Sequence, residues 1–321
     1  MLVSPSFVWF LPSMKLSSRF VKEVLFVKHE IHLAALATAA CLTEVHTAPK
    51  PGLVDRIGPG AHKDMDYTTF LSSTMALAPH WPHQASIGTT GVTPRDALSL
   101  LRQEGLRMEQ DMFAETGGIN THKGLVFAMS LLLYGAGFMI ASEHRLTPEG
   151  ITKTAAAAAS GCCDKELESL KSSPPPRKLT SGEKIFLDHG LRGIRGEVED
   201  GFPTVVGKGL PALRKALAKG ADLNDSALYA LFHLMDGCED TNIVARKGYS
   251  FWKGRYREML LPLLAITPPF SQEARGLIHE TDALFSAEGI SPGGAADLLT
   301  CTLFLHWAEG YPNHFVNITP E

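Results

Sequence analysis

Seventeen consecutive residues, Leu125–Ala141, form the longest apolar run of the chain. A run of that kind must be buried on every side. It sits at the lower edge of membrane-spanning length, contains Ser130, Gly135 and Gly137, and no second run of this kind exists. The better expectation is a central helix wrapped by other helices. The rest of the chain must then supply the wrapping. Helical periodicity recurs near 29–47, 66–78, 94–115, 121–141, 147–161, 181–192, 210–219, 224–238, 250–264, 271–287 and 292–308. Sustained period-2 alternation of Val, Ile and Thr is missing. The predicted fold is therefore all-α: one large multi-helix domain around a buried apolar central helix.

Several helix starts are written explicitly. Thr93-Pro94, Thr147-Pro148 and Ser291-Pro292 each place a capping side chain before a proline in the first turn. The segment 164–180, with Pro174-Pro175-Pro176, reads as an exposed connection inside a domain spanning 29–321. Residues 1–28 read as an N-terminal extension with no basic region ahead of its apolar start, so a signal peptide is not expected, and Met14 is a plausible start. The five cysteines show no Cys-x-x-Cys spacing, which fits a reduced, cytoplasmic protein. A net charge of −4 gives no basic field for nucleic acid, and no membrane association is expected.

Polar residues gather on a few turns. After the first periodic segment comes Thr47-Ala48-Pro49-Lys50-Pro51-Gly52-Leu53-Val54-Asp55, then Gly60-Ala61-His62-Lys63-Asp64-Met65-Asp66. Lys50 on a proline-flanked turn suits a phosphate, and Asp64 with Asp66 suits a hard cation such as Mg²⁺. Asp66 equally suits a plain N-cap of the following helix. The turn Thr116-Gly117-Gly118-Ile119-Asn120-Thr121-His122-Lys123-Gly124 opens onto the central helix, whose N-terminus favours an anion. His122 and Lys123 there oppose the helix dipole, which an anionic ligand would offset. An ordinary glycine turn capped by Asn120 or Thr121 is the plainer alternative.

Asp236-Gly237-Cys238-Glu239-Asp240-Thr241-Asn242 gathers acids at a helix C-terminus, where a bound cation would relieve them. A solvated loop is the alternative. In Ser291-Pro292-Gly293-Gly294-Ala295-Ala296-Asp297, the aspartate is the only charge of an apolar stretch, so a partner, ligand or structural hydrogen bond is required. Arg192 and Arg195 on a glycine-rich segment form a weaker phosphate candidate.

Together these turns resemble the triphosphoribosyl-dephospho-CoA synthase family. The matching segments are TAPKPGLVD (47–55), GAHKDMD (60–66), TGGINTHKG (116–124), RGEVEDGFP (195–203), EDTN (239–242) and SPGGAADLL (291–299). They cover roughly residues 30–310. The position of Glu239 is less fixed in the family pattern than Asp240-Thr241-Asn242.

The resemblance implies an all-α transferase with ATP and 3′-dephospho-CoA as substrates. The 2′-hydroxyl of the acceptor attacks C1 of the ATP ribose, adenine leaves, and the triphosphate stays on the sugar. The product is the prosthetic-group precursor for the acyl carrier of citrate lyase or malonate decarboxylase, loaded by a partner nucleotidyltransferase; Leu53-Val54-Asp55 leans toward the citrate lyase branch. On this basis Asp55 is the expected base and Asp297 a lesser candidate for it, while another acid protonates the departing adenine. Lys50, His62, Asn120, Thr121, His122, Lys123, Arg195, Asn242, Gly293 and Gly294 are expected at the phosphates. Asp64, Asp66, Glu239 and Asp240 are expected on Mg²⁺. A homo-oligomer is compatible with all of this. Two other classes keep a place: a Mg²⁺-dependent ADP-ribosyl or nucleotide hydrolase, and a nucleotide- or CoA-binding regulator without turnover.

Overall fold

A computed structural model of the chain describes residues 18–173, 175–309 and 311, with side chains from residue 29 onward. The expectations for Met14, Pro174 and most of the extension lie outside the described residues. Every regular element among the described residues is helical. In chain order these are α1 (Ser18–His46), α2 (Tyr67–Leu77), α3 (Trp81–Thr89), α4 (Pro94–Glu115), α5 (Lys123–Ala141), α6 (Pro148–Ala159), α7 (Glu166–Ser172), α8 (Ser181–His189), α9 (Gly193–Glu199), α10 (Leu210–Ala218), α11 (Leu223–Gly237), α12 (Thr241–Lys247), α13 (Tyr249–Lys253), α14 (Arg255–Ala265), α15 (Gln272–Glu288) and α16 (Gly293–Glu309). A 3-10 turn precedes α3 and a π turn precedes α10.

The apolar run Leu125–Ala141 is α5 and sits at the centre as expected, packed by α1, α3, α4, α6 and α16. Its burial inside the bundle accounts for its hydrophobicity. The closest packing is on α3. A Cβ at Gly88 would strike the Tyr134 carbonyl and the Phe138 nitrogen, and one at Gly137 would strike the Ala85 carbonyl. Two small residues facing each other therefore set the helix separation. One apolar cluster runs from Leu33 to Ala308 and includes residues on both sides of the 164–180 segment.

Two sequence expectations change. The first helix begins at Ser18, so residues 18–28 continue α1 instead of belonging to a separate extension. The 164–180 connection contains α7, whose Leu167 and Leu170 are buried against the domain. Two apolar residues three apart on one helical face dock the segment, and its polar side then faces a cavity.

Candidate functional site

The six motif segments, distant in sequence, line one cavity of about 1260 Å³. The first turn of α5 enters it, as do the starts of α9, α12 and α16. Positive dipole ends therefore converge there. Arg102, Arg177, Arg192, Arg195, Arg246, Lys50 and Lys123 line it, opposed by Glu44, Glu109, Glu166, Glu183, Asp200 and Glu239.

In this structure most cations are held by acids. Lys50 is buried and ion-paired with the buried Glu44 of α1. Burial pushes the Glu44 carboxyl up, and the Lys50 charge works against that. Lys123 reaches Glu109 Oε2 at 2.6 Å. Arg102 makes a bidentate pair with Glu166 at 2.6 and 2.8 Å, and Arg177 one with Glu183 at 2.9 and 2.7 Å. Arg192 pairs with Asp200, and Arg195 lies 3.9 Å from Glu166.

His62 ties two motifs together: its Nε2 lies 2.8 Å from Ser291 Oγ, and its Nδ1 lies 3.3 Å from Arg246 and 3.7 Å from Asp64. Burial and the Arg246 charge lower its pKa. His122, at the start of α5, is buried against Ser73 Oγ at 2.6 Å. Burial, then the Lys50 charge, brings it down to about 3, so it is a neutral ring. Asn120 Oδ1 accepts from the Lys123 amide at 3.2 Å, and Thr121 donates to Ser73. Asn120, Thr121, His122 and Lys123 all line the cavity, as do Asn242, Gly293 and Gly294. A Cβ on Gly293 would crowd Asn242 Nδ2 at 2.8 Å, and one on Gly294 would lie 3.1 Å from Asp240 Oδ2. The glycine pair therefore lets α16 start directly against α12.

Asp297, one turn into α16, faces the cavity next to the start of α5; a Cβ on Gly124 would be driven into its carboxylate. Among the described residues it has no hydrogen-bond or ion-pair partner. Burial, and then the negative Glu44 and Asp240, push its pKa well above the usual carboxylate range.

Three of the expected site carboxylates are engaged by backbone amides in this structure. Asp55 does not line the cavity: its oxygens accept the Lys50, Ile57 and Gly58 amides at 2.8, 2.7 and 3.1 Å. It braces the turn that carries Lys50. Asp66 also lies off the cavity lining. It caps α2 through Thr69 N at 2.9 Å and Thr68 Oγ1 at 2.7 Å, and these bonds hold its carboxyl at about 2. Asp240 is fully buried and joins two helix starts. Its Oδ1 accepts from Asn242 N at 3.0 Å and Ile243 N at 3.3 Å, and its Oδ2 from Ala295 N at 3.2 Å. Burial raises its pKa to about 6 against those bonds. A carboxylate that closes two helix ends is a structural clamp, not an open metal ligand.

Asp64 and Glu239 remain on the cavity wall. Glu239 also receives the Arg192 and Gly193 amides at 2.8 and 3.1 Å through Oε2. Oxygen ligands of this kind fit a hard cation. The close group Cys162, Cys163 and Glu199 lies outside the cavity lining, and Glu199 already takes the Gly161 and Cys163 amides.

The roles of Asp66 separate cleanly in a mutant. Asp66→Ala is expected to lower the urea midpoint through loss of the N-cap, with kcat unchanged. Urea unfolding and steady-state rates measure the two; a kcat loss of a hundredfold at unchanged stability would restore the ligand role.

Sequence reasoning missed Glu44, Arg102 and Arg177 as cavity residues. Arg102 had a signal: it interrupts the apolar stripe Leu98–Leu101–Gly105 of α4 with a charge. Arg177 follows the proline run and had none.

Comparisons with known proteins show the family. A family model described as ATP:dephospho-CoA triphosphoribosyl transferase matches residues 30–315. Three curated relatives each bear the name "Probable 2-(5''-triphosphoribosyl)-3'-dephosphocoenzyme-A synthase". That from Streptococcus mutans is 35% identical over 286 residues, covering 86% of this chain and 96% of the relative. That from Citrobacter koseri is 38% identical over 276 residues, with 85% and 89% covered. That from Vibrio cholerae is 36% identical over 275 residues, with 84% and 86% covered. With the motif segments gathered on one cavity and the family model matching almost end to end, this chain belongs to the ATP:dephospho-CoA triphosphoribosyl transferase family.

Proposed function

We propose that this chain moves the 5-triphosphoribosyl group of ATP to the 2′-hydroxyl of 3′-dephospho-CoA and releases adenine. The observation that carries this is a single cavity, about 1260 Å³, lined by all six motif segments. Its volume exceeds the roughly 300–1,000 Å³ of a pocket for one drug-sized ligand, which suits two nucleotides held together.

The chemistry follows from the groups present. The C1–N9 bond of ATP breaks as the acceptor oxygen bonds to C1, through an oxocarbenium-like transition state. Adenine leaves with a proton, and the hydroxyl proton passes to a wall carboxylate. Asp297, its carboxyl raised by burial, is the group to protonate the departing base. Lys50, Lys123, Arg195 and His62 orient the triphosphate, which must be held intact. Asp64 and Glu239, with the triphosphate oxygens, would hold Mg²⁺, which when bound neutralises phosphate charge. We place the reaction in the cytoplasm, its product passing to a nucleotidyltransferase that loads the carrier of citrate lyase or malonate decarboxylase.

Adenine release from ATP and Mg²⁺, measured with and without 3′-dephospho-CoA, tests this. Release only with the acceptor, and a CoA species heavier by one triphosphoribosyl unit, is the expected result. Release without acceptor would make the protein a nucleotide hydrolase, and ATP binding without turnover would make it a regulator.

A further inference from the structure

Both substrates of the proposed reaction are adenine nucleotides, so adenosine and phosphate contacts alone cannot assign each to its place. One limb of the cavity has different chemistry. It is lined by Leu98, Leu101 and Gly105 of α4, Val126 and Leu131 of α5 and Leu167 of α7, with the Arg102–Glu166 pair beside them. From Glu109, beside Lys123 at the polar end, to Leu98 is eleven residues of α4, about 16 Å at the α-helical rise.

Gly105 is the telling residue. It lies in the interior of a 22-residue helix, where glycine is less favourable than alanine. Its backbone needs no left-handed conformation. A Cβ there would meet only Val126 Cγ1, at an ordinary 3.8 Å. Packing does not demand this glycine; its effect is to leave the limb open. A second observation is Ser130, buried in the same wall, whose hydroxyl has no hydrogen-bond partner among the described residues. A mostly apolar wall, with one ion pair at its edge and one spare buried hydroxyl, matches a chain of methylenes and amides.

We propose that this limb takes the pantetheine arm of the acceptor and so distinguishes dephospho-CoA from ATP. The assignment rests on the function proposed above, and its test separates the two. Gly105→Leu puts a side chain into the limb without a backbone clash. Its KM for 3′-dephospho-CoA should rise at least about tenfold, the scale of a misfit by one or a few methylenes. Its KM for ATP should stay within about twofold of wild type by the same criterion. Ser130→Ala should raise the acceptor KM alone, by about threefold, a neutral hydrogen bond's share, and it provides the reading should Gly105→Leu not fold. Both acceptor KM values matching wild type, with turnover intact, would overturn the limb and leave the function standing. If wild type shows no turnover, the function fails, and calorimetry with 3′-dephospho-CoA decides the limb: binding lost in Gly105→Leu supports it, and equal or absent binding in both proteins overturns it.

Discussion

Asp297→Asn is expected to lower kcat by about 10²–10⁴-fold, the usual worth of a positioned proton donor. Two features of the residue make the loss large and clean. Asparagine has nearly the same shape, so the start of α5 against Gly124 is undisturbed. No partner is left behind, because Asp297 has none among the described residues. The pH dependence follows from the sign of the shift. Burial, then Glu44 and Asp240, keep the proton on Asp297 above the usual carboxylate range. As the acid it must be protonated, so kcat should fall as pH rises through its folded pKa, and the Asn variant should lose that limb of the profile. Stability moves in the same direction with pH. A carboxyl whose pKa is raised by folding contributes stability that is fully present below its unfolded value, about 3.9, and is lost as pH rises through the folded value. Asp297→Asn cannot ionise, so above that range it should melt at or above the wild-type temperature. A variant with normal kcat would remove Asp297 from the chemistry.

The second large effect lies under the site. Lys50→Met should cost about 3–5 kcal/mol, as expected when one member of a buried ion pair is removed and the other stays. Both side chains are almost wholly excluded from water, at 1% and 4% exposure, which places the pair in that regime and outside that of surface salt bridges. Adding Glu44→Gln should recover much of the stability, because the stranded charge is gone, while turnover stays low if Lys50 also faces the triphosphate. Urea midpoints of the single and double variants measure the recovery. A single variant as stable as wild type would show that the pair is worth nothing.

The central helix and most long helices were legible because their apolar faces repeat over three turns or more. α3, spanning Trp81–Thr89, escaped because Pro79, Pro82 and Gly88 look like breakers. In the fold the prolines occupy first turns, where no amide is needed, and Gly88 is a packing contact. α7, α9 and α12 are seven residues each, too short for a period to register.

In the site, the location of the motifs was legible and the roles of three carboxylates were not. An aspartate just ahead of a helix looks the same in sequence whether it binds a cation or closes the helix start. Asp66 and Asp240 do the latter, and Asp55 likewise spends its oxygens on backbone amides. Only their surroundings in three dimensions separate the two uses.

The paired arginines and lysines of the cavity have a consequence for ligand exchange. Arg102, Arg177, Arg192, Lys50 and Lys123 each already rest against a carboxylate, so at these groups an incoming polyphosphate would replace one anion with another. Affinity then depends on the difference between two sets of contacts, not on their sum. Such a site works as an ion exchanger. On the proposed reaction, it would favour ligands with enough charge to displace several acids at once over orthophosphate, and would let a triphosphate-bearing product leave as the internal pairs close again behind it.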